Sequence, residues 1–77
     1  MEEVWIRDDS IRLGQVLKLS GFVEDGVMAK QLIQDGQVFV NGELNSRRSS
    51  NVNVGDVIAV PALDIEFTIT RLSLIHI

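Results

Sequence analysis

The sequence has 77 residues, 11 carboxylates against 7 lysines and arginines, and no cysteine. A chain of this length folds as one small domain, and its net charge of -4 argues against indiscriminate binding to nucleic acid or to an anionic membrane. Without cysteine there is no disulfide framework, no thiolate nucleophile and no cysteine metal site.

The acidic N-terminus and the hydropathy pattern predict a soluble cytoplasmic protein. The start, MEEVWIRDDS, lacks the basic and apolar regions of a signal peptide. No apolar run approaches the roughly 20 residues that would span a bilayer. We therefore expect no membrane partner.

The first predicted elements are a strand and a helix. The apolar run Val4–Ile6 predicts a strand that ties the N-terminus to a sheet. Helical periodicity predicts a helix over Ile11–Leu19, with Ser10 as its N-cap and Gly21 at its end. Gln15 and Lys18 would point away from a buried stripe that consists of Leu13, Val16 and Leu17.

A second helix is predicted over Gly26–Gln34, with Asp25 as its N-cap. Gly36 suits the left-handed position that closes a helix, because it has no Cβ to clash there. The chain then changes from helix to sheet, so we expect an α+β fold in which two helices pack on the strands. The buried stripe of the second helix would consist of Met28, Ala29, Leu32 and Ile33.

A hairpin follows the second helix. The run Gln37–Val40 predicts a strand with Val38 and Val40 toward the core. Asn41-Gly42 after an alternating run is typical of a type I′ turn. Leu44 is expected to return to the core on the second arm of the hairpin.

Phe39 falls on the other face of this strand and has two interpretations. An exposed aromatic ring beside a basic loop could stack on a nucleic-acid base. It could equally pack on Trp5 or on the C-terminal strand, and we favour this packing role.

The rest of the chain predicts a polar loop and two strands. The segment Asn45–Asn51 is polar throughout. Val57–Val60 predicts a buried strand that Pro61 stops, and Asp64–Arg71 alternates as a half-buried antiparallel strand does.

The C-terminal residues Leu72–Ile77 do not continue this alternation. Their sequence, LSLIHI, also results from translating a transposon-end adaptor that is used in sequencing libraries. We therefore expect one domain over residues 1–71 and a non-native tail over residues 72–77, to which we assign no function.

Signals for catalysis are weak. The single histidine, His76, lies in the tail, and no cysteine or serine motif accompanies it. The carboxylates follow no metal-loop spacing, and there is no Gly-x-x-x-x-Gly-Lys phosphate loop. We expect a protein that is not an enzyme and that has no metal site and no cofactor.

Five short motifs, in order, resemble the S4-like RNA-binding domain, in particular its small free-standing bacterial YaaA/YbcJ type. They extend from about Val4 to Val60, and together they are far more specific than any one alone. The motifs are Ile11-x-Leu13-Gly14-Gln15-x-Leu17-Lys18, Gly26-x-x-Ala29-Lys30, Gly36-x-Val38-x-Val40-Asn41-Gly42-Glu43, Arg47-Arg48 and Gly55-Asp56-x-Ile58.

This resemblance implies an αL-type RNA-binding motif, in which two helices pack on a small, mostly antiparallel sheet. It also implies a ribosome-associated role and a structured RNA partner, such as a ribosomal or transfer RNA element. The RNA-binding residues carried over by position would be Lys18, Lys30, Arg47 and Arg48, with Gln15, Gln31 and Gln34 as polar supplements.

Two features of the charge pattern bear on this prediction. Members of this group usually continue the double arginine into further basic residues, whereas Ser49 and Ser50 follow Arg48 here. Arg12 could join the basic residues or pair with Asp8 or Asp9, and we slightly favour the pair.

Two functions stay open on sequence grounds. The preferred one is a non-catalytic RNA-binding module that recognises structured RNA mainly through phosphates and shape. The alternative is a protein-interaction module that has kept the fold and lost RNA binding. The acidic balance and the short basic run motivate this alternative.

Overall fold

The computed structural model describes residues 2–47 and 49–72. Two helices and seven strands form the described part, which confirms the predicted α+β fold with two helices on a mostly antiparallel sheet. In chain order the elements are β1 (Glu2–Ile6), β2 (Ser10–Arg12), α1 (Leu13–Leu19), α2 (Gly26–Gln34), β3 (Phe39–Val40), β4 (Glu43–Leu44), β5 (Asn51–Asn53), β6 (Val57–Val60), a 3-10 turn (Pro61–Leu63) and β7 (Ile65–Arg71).

Five of the strands form one sheet in the order β1-β7-β6-β3-β4. Strand β1 runs parallel to β7, and the other three pairs are antiparallel. Strands β2 and β5 form a separate two-stranded ladder. The N-terminal strand is thus tied to the sheet, as its apolar run predicts.

The core lies between the helices and one face of the sheet. The residues of the predicted α1 stripe, Leu13, Val16 and Leu17, are fully buried, as are Ala29 and Ile33 of α2. Alternation along the strands brings every second side chain to the same layer. The sheet contributes Val4, Ile6, Ile58, Val60, Phe67 and Ile69 to this core, and Val38 joins them from the position before β3.

The predicted start of the first helix is wrong. Ser10 does not cap a helix: it begins β2 and pairs with Asn53 of β5. The helix starts at Leu13, after an extended Arg12 whose side chain makes no cap hydrogen bond. Leu13 N–H donates instead to the carbonyl of Ser50 at 2.8 Å. Pairing with a distant strand has overridden a good local capping signal.

The second helix has the predicted bounds and cap. Asp25 accepts a hydrogen bond from the Met28 N–H at 2.8 Å, and Gly36 follows the helix with a φ of 73°. Met28, however, is 38% exposed, so its assignment to the buried stripe is wrong. Met28 lies in the first turn, where the cap on Asp25 fixes the backbone while the core begins one residue later at Ala29.

The hairpin after α2 has the predicted turn, with positive φ at both Asn41 and Gly42. Asn41 also holds the neighbouring turn: its Oδ1 accepts from Val57 N–H at 2.9 Å, and its Nδ2 donates to Asp56 Oδ1 at 3.1 Å. Asp56 Oδ2 accepts from Asn53 N–H at 2.8 Å. One side chain therefore links the hairpin to the β5–β6 connection.

Leu44 does not return to the core and is 57% exposed. It pairs with Phe39 across the hairpin, and its side chain reaches over Gly36, where a Cβ would lie 3.7 Å from Leu44 Cδ1. The strand register gives Leu44 the same outward side as Phe39, so its side chain lies against Gly36 after α2 and not in the core.

Phe39 is half-buried and lies opposite Ala59 of β6. Strands β6 and β7 separate β3 from β1, so a distance of about three strand spacings divides Phe39 from Trp5. Phe39 thus has its neighbours on β4 and β6 rather than on β1.

Hydrogen bonding to β1 continues one residue past the end of β7. Leu72 N–H donates to the carbonyl of Ile6 at 2.6 Å. Residues 73–77, and with them His76, lie outside the described residues, so the non-native origin of the tail stays a prediction.

The cap on α2 yields a stability prediction. We expect Asp25→Ala to lower the free energy of unfolding by about 1 kcal/mol, because Met28 N–H loses its acceptor. Urea denaturation followed by circular dichroism measures this change. Glu24→Ala is the matched control, since Glu24 is exposed and precedes the helix; an equal loss in both variants would contradict a capping role.

Candidate nucleic-acid interface

A groove of about 340 Å³ lies between the two helices and the loop that precedes β5. Its walls carry three cations and no carboxylate. We call it the basic groove, and its lining residues are Arg12, Gly14, Gln15, Lys18, Gly26, Lys30 and Ser49.

Helical spacing explains which side chains meet in the basic groove. Residues three or four positions apart lie on the same side of a helix. Arg12, Gln15 and Lys18 follow one another at intervals of three along and just before α1, and Gly26 and Lys30 are four apart on α2. Packing of α1 against α2 brings these two rows together.

The end of α1 lies against the start of α2 at Gly26. A Cβ built on Gly26 would lie 3.5 Å from Lys18 Cδ, an ordinary van der Waals contact. The aliphatic stem of Lys18 therefore passes over the first turn of α2, which leaves its ammonium group as the part that reaches solvent.

The cations of the basic groove are not neutralised by neighbouring carboxylates. The one ion pair among residues 2–47 and 49–72 joins Arg71 to Asp9, at 2.6 Å. Arg12 thus makes no ion pair with Asp8 or Asp9, and the favoured interpretation of Arg12 is wrong. Asp9 is already held by Arg71, and the extended backbone at Arg12 directs this residue into the groove.

Three of the residues predicted for RNA binding line the basic groove: Gln15, Lys18 and Lys30. Gln31 and Gln34 are exposed on α2 but do not line it. Arg47 is exposed on the loop, two positions before the groove residue Ser49. Arg48 lies outside the described residues.

The loop that carries Arg47 is ordered by an asparagine. Asn45 Oδ1 accepts from Arg47 N–H at 3.0 Å and from the Ser50 hydroxyl at 3.2 Å. Ser50 N–H in turn donates to the carbonyl of Arg47 at 3.1 Å. These bonds close the loop on itself, and the bond from Leu13 N–H to the Ser50 carbonyl holds it beside the N-terminus of α1.

The sequence offered Arg12 as a member of the basic residues only as the less favoured alternative, and it did not indicate Ser49. Ser49 gave no signal beyond its polar surroundings. For Arg12 the signal was its three-residue spacing to Gln15, which is also the spacing from Gln15 to Lys18.

Metal-holding clusters and membrane-spanning helices are both absent from the described residues. No group of three or more histidine and acidic side chains among them could hold a metal ion. Within the same part of the chain, neither helix is long and apolar enough to cross a membrane.

Two helices packed on a small, mostly antiparallel sheet are the architecture of the αL-type motif that the resemblance implies. Residues 4–69 match the S4 domain family. This chain belongs to that family, which confirms the resemblance drawn from its short motifs.

Two relatives extend this comparison. The probable ribosome maturation protein RlbA of Bacillus subtilis (strain 168) is 40% identical over 55 residues, which cover 71% of this chain and 78% of that protein. The small ribosomal subunit protein uS4m of Dictyostelium citrinum is 36% identical over 59 residues, 77% of this chain. These residues make up only 18% of the second relative, so that likeness concerns one domain of a larger protein.

Proposed function

We propose that this protein is a non-catalytic module that binds structured RNA, such as a ribosomal or transfer RNA element, through the basic groove. The observation that carries the proposal is the convergence of Arg12, Lys18 and Lys30 on one groove without a carboxylate in its lining. Membership of the S4 domain family supports RNA as the partner.

The groove residues favour recognition of the RNA backbone. Arginine presents a planar fork that matches phosphate, and lysine supplies a point charge. The groove offers Gln15 and Ser49 as its polar uncharged side chains. The base edges of A-form RNA lie in a deep, narrow groove, so a protein with so few contacts would recognise phosphate positions and shape.

The relatives favour a place in ribosome biology. The name of the Bacillus subtilis relative refers to ribosome maturation, and that of the Dictyostelium citrinum relative to the small ribosomal subunit. We extend the first of these to the present chain: the proposed RNA partner is ribosomal and is bound while the ribosome is assembled in the cytoplasm.

A protein-interaction module that has lost RNA binding is the second candidate. The net charge of -4 favours it, as do the two serines that follow Arg48. The two candidates differ in salt response, since phosphate binding releases counterions from the nucleic acid and protein binding does not.

The first prediction concerns salt. We expect the protein to bind a ribosomal RNA hairpin, with the logarithm of its affinity falling against the logarithm of salt concentration. The slope should be about -2 to -4.5 for three to five phosphate contacts, three from the groove and up to two from the loop arginines. Fluorescence anisotropy of the labelled RNA measures this slope. No binding at low salt, or binding with a flat response, would contradict the RNA proposal and favour the second candidate.

A carboxylate placed in the basic groove should weaken RNA binding. Gly26→Glu puts a negative charge among the three cations, while the first turn of α2 tolerates an acidic residue next to its positive dipole end. We expect the RNA affinity to fall about tenfold, a change of roughly 1.4 kcal/mol, with little loss of thermal stability.

Val27→Glu is the matched control for this substitution. It makes the same change in net charge one residue further along α2, at a side chain that is 73% exposed and outside the groove lining. Anisotropy titrations of both variants should show a much smaller loss for Val27→Glu. Equal losses would mean that net charge, and not the groove, governs binding.

The arginine pair on the loop supplies a third test. We expect Arg47→Ala with Arg48→Ala to weaken RNA binding about three- to tenfold and to make the salt slope shallower by up to about two, without altering base preference. Arg7→Glu is the control, since it makes the same change in net charge at an exposed residue outside the groove lining. If the loop variant bound RNA like the unmodified protein, the loop would be excluded from the interface.

A further inference from the structure

The side of the sheet that faces away from the helices carries a second group of side chains, whose relative positions are set by the strand register. Strand register puts Phe39 opposite Ala59, and Ala59 opposite Glu66. It also puts Val57 and Glu3 on the two sides of the same β7 position, Thr68. We call this the outer sheet face, and its residues are Glu3, Trp5, Phe39, Val57, Ala59 and Glu66.

The alternation of the strands separates this face from the core. Val4 and Ile6 of β1 are buried, as are Phe67 and Ile69 of β7, so the residues between them point outward. The helices and the basic groove lie on the core side of the sheet. A partner on the outer sheet face would therefore leave the groove accessible.

Apolar and acidic side chains adjoin on the outer sheet face. Trp5 is 50% exposed, while Phe39, Val57 and Ala59 are half-buried. Glu3 and Glu66 are exposed and make no ion pair among residues 2–47 and 49–72. Of the described strand residues with this outward register, none is a lysine or an arginine.

We propose that the outer sheet face binds a basic polypeptide segment in which lysines or arginines alternate with apolar side chains. Its cations would pair with Glu3 and Glu66, and one of them could lie over the Trp5 ring. Its apolar side chains would cover the half-buried residues of β3 and β6. The proposal is independent of RNA binding in the basic groove.

Charge argues against other occupants of this face. RNA would place phosphates against two unpaired carboxylates, which costs free energy. A second copy of the chain, packed face to face, would bring four carboxylates together in the same way, two from each copy. A basic segment is the partner whose charge complements the face.

A single tryptophan makes the test direct. Trp5 is the only tryptophan of the chain, so its fluorescence reports on this face. The probe is a short capped peptide of lysine, arginine and valine, and its control has glutamate in place of the cations. We expect the basic peptide to change Trp5 emission and to shift the amide resonances of β1, β6 and β7, and the acidic peptide to do neither.

Charge reversal on the face should abolish most of this binding. We expect Glu3→Lys with Glu66→Lys to weaken peptide affinity at least about tenfold, and the milder Glu3→Gln with Glu66→Gln about threefold. The matched control is Glu24→Lys with Asp35→Lys, which changes net charge equally on exposed residues of the helical layer. The affinity of this control should stay within about twofold of the unmodified protein.

Several outcomes would overturn the proposal. These are no peptide binding, equal losses in the face and control variants, peptide-induced shifts confined to the groove, or an RNA hairpin that shifts β1 and β7 residues. Self-association that the face variants abolish would identify a second copy as the occupant. Because RNA titration of the same sample reports separately on the groove, failure here leaves the RNA proposal to its own tests.

Discussion

Pairing of β2 with β5 is the constraint on which the basic groove depends. The ladder sets Arg12 opposite Asn51, and Leu13 N–H reaches the carbonyl of Ser50 at 2.8 Å. These contacts attach the segment before β5 to the N-terminus of α1. The ladder lies outside the five-stranded sheet, but its register acts on the core as well as on the groove, because its central residue Val52 is buried in the core. Ser49 meets Lys18 and Lys30 for this reason.

A net charge of -4 is compatible with a local cationic site because dissolved salt screens the interactions between distant charges. Interactions between exposed charges fade beyond roughly 8–10 Å at physiological ionic strength. The carboxylates of Glu3 and Glu66 lie on the far side of the sheet, and Asp9 is occupied by Arg71. The lining of the basic groove is thus positive while the molecule as a whole is acidic, and long-range attraction to RNA stays weak.

The parts of the fold that the sequence predicted well are those with local causes. Asp25 and Gly36 mark the ends of α2 through a cap and a left-handed backbone, and Asn41 with Gly42 defines the turn. The prediction that Ser10 caps a helix failed because a residue that suits a helix cap can also pair in a strand ladder. Only the distant β5 decides between these two structures. The prediction that Leu44 returns to the core failed because hydrophobicity alone does not determine which residues of a short hairpin arm point toward the core.

The sequence predicts which residues lie together along each helix of the basic groove, but not how the two helices bring them into one site. Spacing alone puts Arg12, Gln15 and Lys18 in one row and Lys30 in another, yet it does not say that the two rows face each other. Helix crossing decides that, and it depends on the contacts of buried residues such as Ala29, whose small side chain is fully buried in the core. The ion pair of Arg12 was the other uncertain point, because Asp8 and Asp9 are near it in sequence. Arg71 lies 62 positions from Asp9 in the chain, yet it is the partner that Asp9 takes, and Arg12 lines the groove instead. A contact that is distant in sequence therefore decides which cations belong to the site.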